Sequence, residues 1–341
     1  MTATARTSPS VEPQATPAAT PDSVRLTPEA RRDFCVVVPA YNEAENVPEL
    51  VAELRATFER FGLEGEVVLV DDGSSDATAE LAERHAAAWP ALRVVRHRTN
   101  FGKTEALLTA ARHTGRRWLI LFDADLQHAP DEIPRYLEKL GEGWDIVTGR
   151  KVGRYEKGAV SRAYNWLSRR LFDVPVSDLN SMKGFDRAVL DEVRLRHDWH
   201  RFFVVLAYAR GFTVTELPIT LYPRRHGEAK YSAKSRIVVG VLDLVSVAFF
   251  LRFSRKPLLL FGASGMAMAA LGVVVGLTTL ALRLAHIETP FGYRPFLYLV
   301  ILLETLGFLL FGFGMIAELI AQQHTEIDAL HRRIEGGTNR E

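Results

Sequence analysis

Asp123 and Asp125, in the run DADLQ at 123–127, stand one residue apart directly after the apolar run WLILF. Two carboxylates at that spacing past a strand end can face one divalent cation. A hard cation such as Mg2+ takes oxygen ligands and keeps several of them from substrate phosphates and water, so two protein groups suffice. Gln127 adds a neutral oxygen on the same side. Acidic pairs are common in solvated loops, and it is the position after a buried run that singles this one out. A second group lies in VVVPAYNE at 36–43, where Tyr41 could stack on a nucleobase while Glu43 anchors its polar edge. The same residues read as a helix start, with Asn42 as N-cap and Glu45 at the third position, and both readings can hold. In VDDGSSDAT at 70–78, Asp72 could accept hydrogen bonds from base N–H groups while Gly73 and Ser74 turn the chain. The plainer reading is a strand-to-helix turn capped by Ser or Asp.

Cations are concentrated in two segments of a chain that is otherwise nearly neutral. Residues 150–170 carry seven, Arg150, Lys151, Arg154, Lys157, Arg162, Arg169 and Arg170, against Glu156. Residues 222–236 carry five, Arg224, Arg225, Lys230, Lys234 and Arg236, against Glu228. Guanidinium groups bind phosphate bidentately. Attraction to anionic lipid headgroups, about 1 kcal/mol per basic residue, produces the same clustering. Charge alone does not assign individual arginines.

The elements that must position these groups follow from hydrophobic patterning. Short apolar runs at 34–39, 66–71, 92–96, 117–123 and 145–149 read as strands, separated by amphipathic stretches near 45–60, 75–88, 102–113 and 131–141. That alternation predicts βαβ units and a largely parallel sheet covered on both faces. Ligands then sit outside the carboxyl ends of the strands, which is where the polar groups above fall.

The chain has 341 residues with a formal net charge of +1, a balance that argues against a dedicated nucleic-acid binder. Its single cysteine, Cys35, excludes an internal disulfide framework and a Cys-rich zinc site, and reads as a small apolar residue of a buried strand. Residues 1–33, rich in Thr, Ser, Ala and Pro, read as a disordered tail without the apolar block of a secretory signal. Residues 34–230 form the α/β domain. Residues 258–282 contain no charge and span about 37 Å as a helix, enough for a bilayer core of about 30 Å. A second run at 296–320 is interrupted by Glu304 and Glu318. Two such runs in tandem read as a transmembrane hairpin within 257–321, with a short loop at 283–295 and a cytoplasmic tail at 322–341. Arg252, Arg255 and Lys256 before the first span, and Arg332 and Arg333 after the second, outweigh Arg283 and Arg294 in the loop. That bias puts the large domain and both termini on the cytoplasmic side. Residues 158–172 and a juxtamembrane segment at 231–256 mix basic, aromatic and aliphatic residues, as interfacial helices and ordinary core helices both do. Glu304 is a functional candidate because an ionisable group inside a span is costly, although pairing with the first span is the alternative. His200 reads equally as an acceptor-side group or a structural histidine.

VVVPAYNE, VDDGSSD, NFGK (100–103) and DADLQ, in this order and spacing, resemble glycosyltransferase family 2, whose domain has the GT-A fold, a Rossmann-like, mostly parallel α/β sheet. TGRK (148–151), VSDLNSMKGFDRAVL (176–190) and PRRHGEAKY (223–231), followed by two spans, are similar to the polyprenyl-phosphate glycosyltransferases within it, such as dolichol-phosphate mannose synthases and bacterial polyprenyl-phosphate glucosyltransferases.

The resemblance implies that Pro39, Ala40, Tyr41, Glu43, Val70 and Asp72 hold the nucleotide, with Lys103 and Ala124 also lining the donor site. It implies that Asp123, Asp125 and Gln127 hold Mg2+ or Mn2+ and through it the donor diphosphate. Arg224 and Lys230 clamp that diphosphate, and Arg150 and Arg162 meet the acceptor phosphate. Ala229 stands where the family's R-x-x-G-x-S-K pattern has serine. The implied reaction is inverting transfer of one sugar from a GDP-mannose- or UDP-glucose-type donor to polyprenyl phosphate at the cytoplasmic membrane face. The product is a lipid-linked monosaccharide for later glycosylation, and membrane lipids and a homo-oligomer are the implied partners. A phosphate nucleophile is largely ionised near pH 7 and needs no strong general base. A hydroxyl acceptor is the alternative, although no Q-x-x-R-W motif of processive relatives is present. A non-catalytic membrane scaffold is the other.

Overall fold

The computed structural model describes residues 23–152, 174–176, 178–179, 181–193, 195, 202–223, 225, 246–247, 249, 256–287 and 292–338. The chain divides into two units, Met1–Leu242 and Asp243–Glu341. In the first, seven strands form one sheet: β1 (Phe34–Ala40), β2 (Glu66–Asp71), β3 (Leu92–Arg96), β4 (Trp118–Leu121), β5 (Ile146–Val152), β6 (Lys183–Asp186) and β7 (Val214–Thr220). Their order is β3-β2-β1-β4-β6-β5-β7. β6 runs antiparallel to β4 and β5, and the other pairings are parallel. The carboxyl ends of β1, β2, β4, β5 and β7 therefore share one edge. The strand order reverses direction between β1 and β4, and a crevice outside the carboxyl ends at such a point is where ligands bind.

The central strands are buried throughout because helices cover both faces. Phe34–Val38 of β1 and all of Trp118–Leu121 in β4 are buried, as continuous apolar runs of parallel strands require. One face packs on α2 (Val47–Phe61), which buries Val47, Leu50, Val51, Leu54, Phe58 and Phe61 at helical spacing. Gly62, in the left-handed conformation (φ 58°), ends that helix and donates to the Phe58 and Glu59 carbonyls, the usual solution at a helix C-terminus. Phe58 meets Phe34 and, edge-on, Trp89, with ring centroids 5.5 and 5.2 Å away. Burying a side chain of that size contributes about 1.5–3 kcal/mol. Helices α3 (Thr78–Ala88), α4 (Lys103–Arg112) and α5 (Ile133–Gly141) follow β2, β3 and β4. The shorter α6 (Arg187–Glu192) and α7 (Phe203–Tyr208) follow β6. Cys35 is fully buried in β1, and burial pushes its thiol up to about 12, so it is a core residue.

The strand bounds differ from the sequence expectation where polarity changes. β4 stops at Leu121, with Phe122 still buried in the core and its N–H donating to the Val37 carbonyl (2.9 Å), and β5 continues to Val152. β6 and β7 carry lysine, glycine, threonine and proline among few apolar residues, and hydrophobic runs did not reveal them. The expected tail ends earlier than residue 33. Helix α1 (Pro28–Arg32), capped by the Thr27 hydroxyl, buries Ala30, and Val24 is buried as well. The expected cap at Asn42 is absent: α2 starts five residues later, after Asn46, and Asn42 sits in a left-handed turn (φ 51°).

The second unit contains α8 (Pro257–Leu284) and α9 (Arg294–Thr338). Pro257–Leu284 and Arg294–Gln323 are long and apolar enough to cross a membrane, and only 17% and 11% of their most apolar windows are buried. Core helices of a soluble protein would be mostly buried. Instead of ending near 320 in a separate tail, α9 continues as one helix to Thr338. The two helices meet backbone to backbone. A Cβ on Gly265 would lie 2.5 Å from the Gly307 carbonyl oxygen, and one on Gly314 would lie 2.9 Å from the Gly262 nitrogen. Small residues permit this approach, which gives membrane helices their packing energy.

Candidate active site

The loops after β1 and β2 are laced together before any ligand is considered. Asn42 N–H donates to the Ser74 hydroxyl (2.9 Å), Glu43 N–H to the Thr78 hydroxyl (2.8 Å), and Ser75 N–H to Asn42 Oδ1 (2.9 Å). Asp76, one residue before the N-cap of α3, accepts from Thr78 N–H (3.0 Å) and, across the gap, from Ala44 N–H (3.2 Å). The expected Ser or Asp cap is thus present only in altered form: the N-cap of α3, Ala77, makes no side-chain bond, and Asp76 holds the helix start from the residue before it. Gly73 is left-handed (φ 72°), and a Cβ there would stand 2.5 Å from the Thr99 carbonyl carbon. No other residue type fits this crossing of two loops. Glu43 accepts from Asn46 Nδ2 (2.6 Å), so its carboxylate is turned toward the start of α2.

Asp72 is almost wholly buried. Its Oδ1 accepts from Phe101 N–H (2.9 Å) and faces His97 Nδ1 (2.8 Å), while its Oδ2 accepts from Gly102 N–H (2.8 Å). Both oxygens are thus engaged with the NFGK loop, which Asp72 fixes beside the end of β2. Neighbouring Asp71 has no solvent exposure; its Oδ1 accepts from Ser74 N–H (3.2 Å), and Arg96 approaches its Oδ2 at 3.3 Å. Tyr41, Pro39, Ala40 and Val70 lie at the same edge, with Pro39 opposite Val70 in register.

Lys103 opens α4, and its ammonium donates to Asp123 Oδ1 across the switch point. Burial would raise the Asp123 carboxyl, but Lys103, with smaller contributions from His128 and Lys183, more than reverses this and lowers it to about 2. The carboxylate nevertheless keeps 42% of its side-chain surface open toward the crevice. Asp125 is nearly buried and accepts from Gln127 N–H (3.2 Å). Between Asp125 and Gln127, Leu126 holds a left-handed conformation (φ 52°). That strain costs about 1–3 kcal/mol and concentrates at functional sites. The Gln127 carbonyl accepts from Tyr222 N–H (2.9 Å), tying the acidic loop to the chain after β7.

A second charged group lies alongside on β5 and β6. Lys151 approaches Asp178 at 3.5 Å, and the Asp178 N–H donates to Glu216 (3.3 Å). Lys183 is 2% exposed and donates to the Ser181 carbonyl (2.9 Å); burial lowers its ammonium to about 7. Burial likewise lowers His128 to about 4, which keeps it neutral near pH 7. Arg150 is exposed at the end of β5 on the crevice edge. Arg225 reaches Glu49 and Glu53 on α2. Arg162, Arg224, Lys230 and His200, with all of 158–172 and most of 231–256, lie outside the described residues.

Sequence reasoning missed His97, Asp178 and Lys183. None of the three had a signal in the sequence, because β6 (KGFD) is no apolar run and His97 and Asp178 gain meaning only from their partners. Among the described residues no third His, Cys, Asp or Glu joins Asp123 and Asp125 in a metal-sized cluster. The pair fits a divalent cation all the same. It supplies hard oxygens at the crevice edge, one of which already accepts a cationic group, and Mg2+ or Mn2+ normally takes its other ligands from phosphate and water.

Sheet order, switch-point crevice and carboxylate pair together define a GT-A-like domain. The family model for glycosyl transferase family 2 matches residues 35–204. A dodecaprenyl-phosphate galacturonate synthase of Rhizobium johnstonii is 31% identical over 308 residues, covering 87% of this chain and 90% of its own. An undecaprenyl-phosphate 4-deoxy-4-formamido-L-arabinose transferase of Klebsiella pneumoniae is 30% identical over 312 residues, covering 90% and 94%. The chain belongs to glycosyl transferase family 2. Among solved structures, a glucosyl-3-phosphoglycerate synthase of Mycobacterium tuberculosis, in complex with Mn2+, UDP and glucosyl-3-phosphoglycerate, superposes with a TM-score of 0.52. At 19% identity, covering 70% of this chain and 86% of that one, it supports the fold.

Proposed function

We propose that this protein transfers one sugar from a nucleoside-diphosphate sugar to polyprenyl phosphate. The observation that carries the reading is the Asp123/Asp125 pair at the switch point of a family 2 domain whose chain continues into two apolar helices. The two relatives named above are, by name, polyprenyl-phosphate sugar transferases, and their matches cover 87% and 90% of this chain. Their sugars are a galacturonate and an aminoarabinose derivative, so the mannosyl or glucosyl donors suggested by the motifs are one option among several nucleotide sugars.

The nucleotide would lie against Pro39, Ala40, Tyr41 and Val70, on loops pinned by Asp72 and Asp76. Asp123, Asp125 and Gln127 would hold Mg2+ or Mn2+, which offsets negative charge on the departing diphosphate. Arg224 and Lys230 are the cations assigned to that diphosphate, with Lys103 lining the donor site, and Arg150 and Arg162 those assigned to the acceptor phosphate. A phosphate oxygen attacks the anomeric carbon, the bond from that carbon to the diphosphate oxygen breaks, and the configuration inverts. A dianionic phosphate monoester becomes a monoanionic diester as the nucleoside diphosphate leaves with the balancing charge, so no proton need move. The chain's own contribution is orientation and fixed positive charge, worth most in a water-poor crevice. The flanking charges support a cytoplasmic position for the domain.

Release of nucleoside diphosphate with polyprenyl phosphate, compared with the corresponding polyprenol, tests the acceptor. Release that requires the phosphate supports the reading, and release with the alcohol alone supports the hydroxyl-acceptor alternative.

A further inference from the structure

Lys103 stands where helix electrostatics disfavours it. It is the first residue of the ten-residue α4, next to the positive end of the helix dipole. Its ammonium is nonetheless fixed, by an ion pair with Asp123 Oδ1. Both partners remain partly open, with 28% and 42% of their side-chain surfaces exposed. The second lysine near Asp123 is held differently: Lys183 is 2% exposed and tied to the Ser181 carbonyl. Of the two cations, only Lys103 has a long, solvent-reaching side chain that can leave.

Asp123 cannot hold a lysine ammonium and a divalent cation on the same oxygen without strong repulsion between the two positive charges. The start of α4, carrying the backbone N–H groups of a helix N-terminus, also faces the edge where a diphosphate would lie. We propose that Lys103 is an exchanging residue. It neutralises Asp123 in the free protein, is displaced when the divalent cation binds, and then pairs with the donor diphosphate. The inference rests on the metal and donor reading above. It adds that cation and nucleotide must bind synergistically, because each favours the arrangement in which Lys103 has left Asp123. Such coupling is reciprocal by thermodynamic necessity.

The test is direct binding of Mn2+ to detergent-purified full-length protein, read by the electron paramagnetic resonance signal of free Mn2+, alone and with UDP or GDP. In the wild type, Mn2+ alone should bind weakly, and nucleotide should tighten it. Lys103→Gln and Lys103→Met remove a unit charge a few ångströms from the ligand oxygen, so each should bind Mn2+ alone at least about fivefold more tightly. Each should also lose most of the tightening by nucleotide. Lys103→Arg keeps the charge and should behave as the wild type. Mn2+ affinity of Lys103→Gln and Lys103→Met within twofold of the wild type would overturn the exchange, as would Lys103→Arg following them. Asp123→Asn separates the two failures. If it binds Mn2+ as the wild type does, or if the wild type binds none even with nucleotide, the metal site itself is wrong and the exchange falls with it.

Discussion

His97 is clamped between strand and helix by Asp72: its Nδ1 lies 2.8 Å from Asp72 Oδ1, and its Nε2 lies 2.9 Å from the Thr109 hydroxyl on α4. An ionised carboxylate only accepts, so Nδ1 carries the proton of that bond. The same carboxylate takes the N–H groups of Phe101 and Gly102. Asp72 thus sets where α4 begins, and with it the position of Lys103.

Replacing Asp72 by Asn keeps the side chain's shape but turns an amide N–H2 group toward at least one of these donors. A buried donor left unpaired costs about 1–3 kcal/mol. Asp72→Asn should lower the thermal midpoint of the detergent-solubilised protein by several degrees and weaken nucleotide binding with it. An unchanged midpoint would show that the loop does not depend on this carboxylate.

Asp125 is nearly buried at the crevice and holds the Gln127 N–H. Asp125→Asn preserves that acceptor while removing the charge a cation requires. Turnover should fall by a factor of about 100 or more, the scale on which electrostatic groups contribute to catalysis, with little change in melting. Steady-state rates with excess Mn2+ decide the matter, and near-normal turnover would remove Asp125 from the metal site.

Lys183 predicts a pH dependence of stability. Its folded value of about 7 lies below the ordinary 10.5, because burial disfavours the charged form. Between those values the unfolded chain binds a proton that the folded chain does not, so this group makes stability rise with pH. Below about pH 7 its penalty is constant and largest. The thermal midpoint of Lys183→Met relative to the wild type should therefore be highest near pH 6 and decline steadily toward pH 10. A difference that stays flat over that range would mean that Lys183 keeps an ordinary ammonium.

The α/β pattern was legible because β1, β2 and β4 are uninterrupted apolar runs between amphipathic helices. β6 and β7 were not, since KGFD and VTELPIT owe their place to long-range pairing with β4 and β5. The site divided in the same way. Asp123, Asp125 and Gln127 stand out as polar groups at the end of a buried strand. What Asp72 does was hidden, because its partners lie 25–30 residues away, His97 reaching it through a ring nitrogen and Phe101 and Gly102 through backbone N–H groups. Asn42 looked like a helix cap because its spacing to Glu45 fits, yet its left-handed turn serves the contact with Ser74 and Ser75.

The glycines of α8 and α9 had no meaning until the two helices were paired. A Cβ on Gly265 would collide with the Gly307 backbone, and one on Gly272 would stand 2.8 Å from Glu304 Oε1, whereas one on Gly312 would meet nothing within 4 Å. Gly265→Leu should therefore separate the helices and lower the thermal midpoint, while Gly312→Ala should leave it unchanged. Equal effects of the two substitutions would contradict the close approach.

The most direct test of the whole reading is to identify the lipid product. Detergent-purified protein is incubated with undecaprenyl phosphate, Mg2+ or Mn2+ and a panel of UDP- and GDP-sugars, and the lipid fraction is weighed by mass spectrometry while nucleoside diphosphate is measured in parallel. One donor should yield a lipid heavier by a single sugar residue, with one equivalent of nucleoside diphosphate released and none without the lipid. Nucleotide binding without a lipid-linked sugar from any donor would contradict the account.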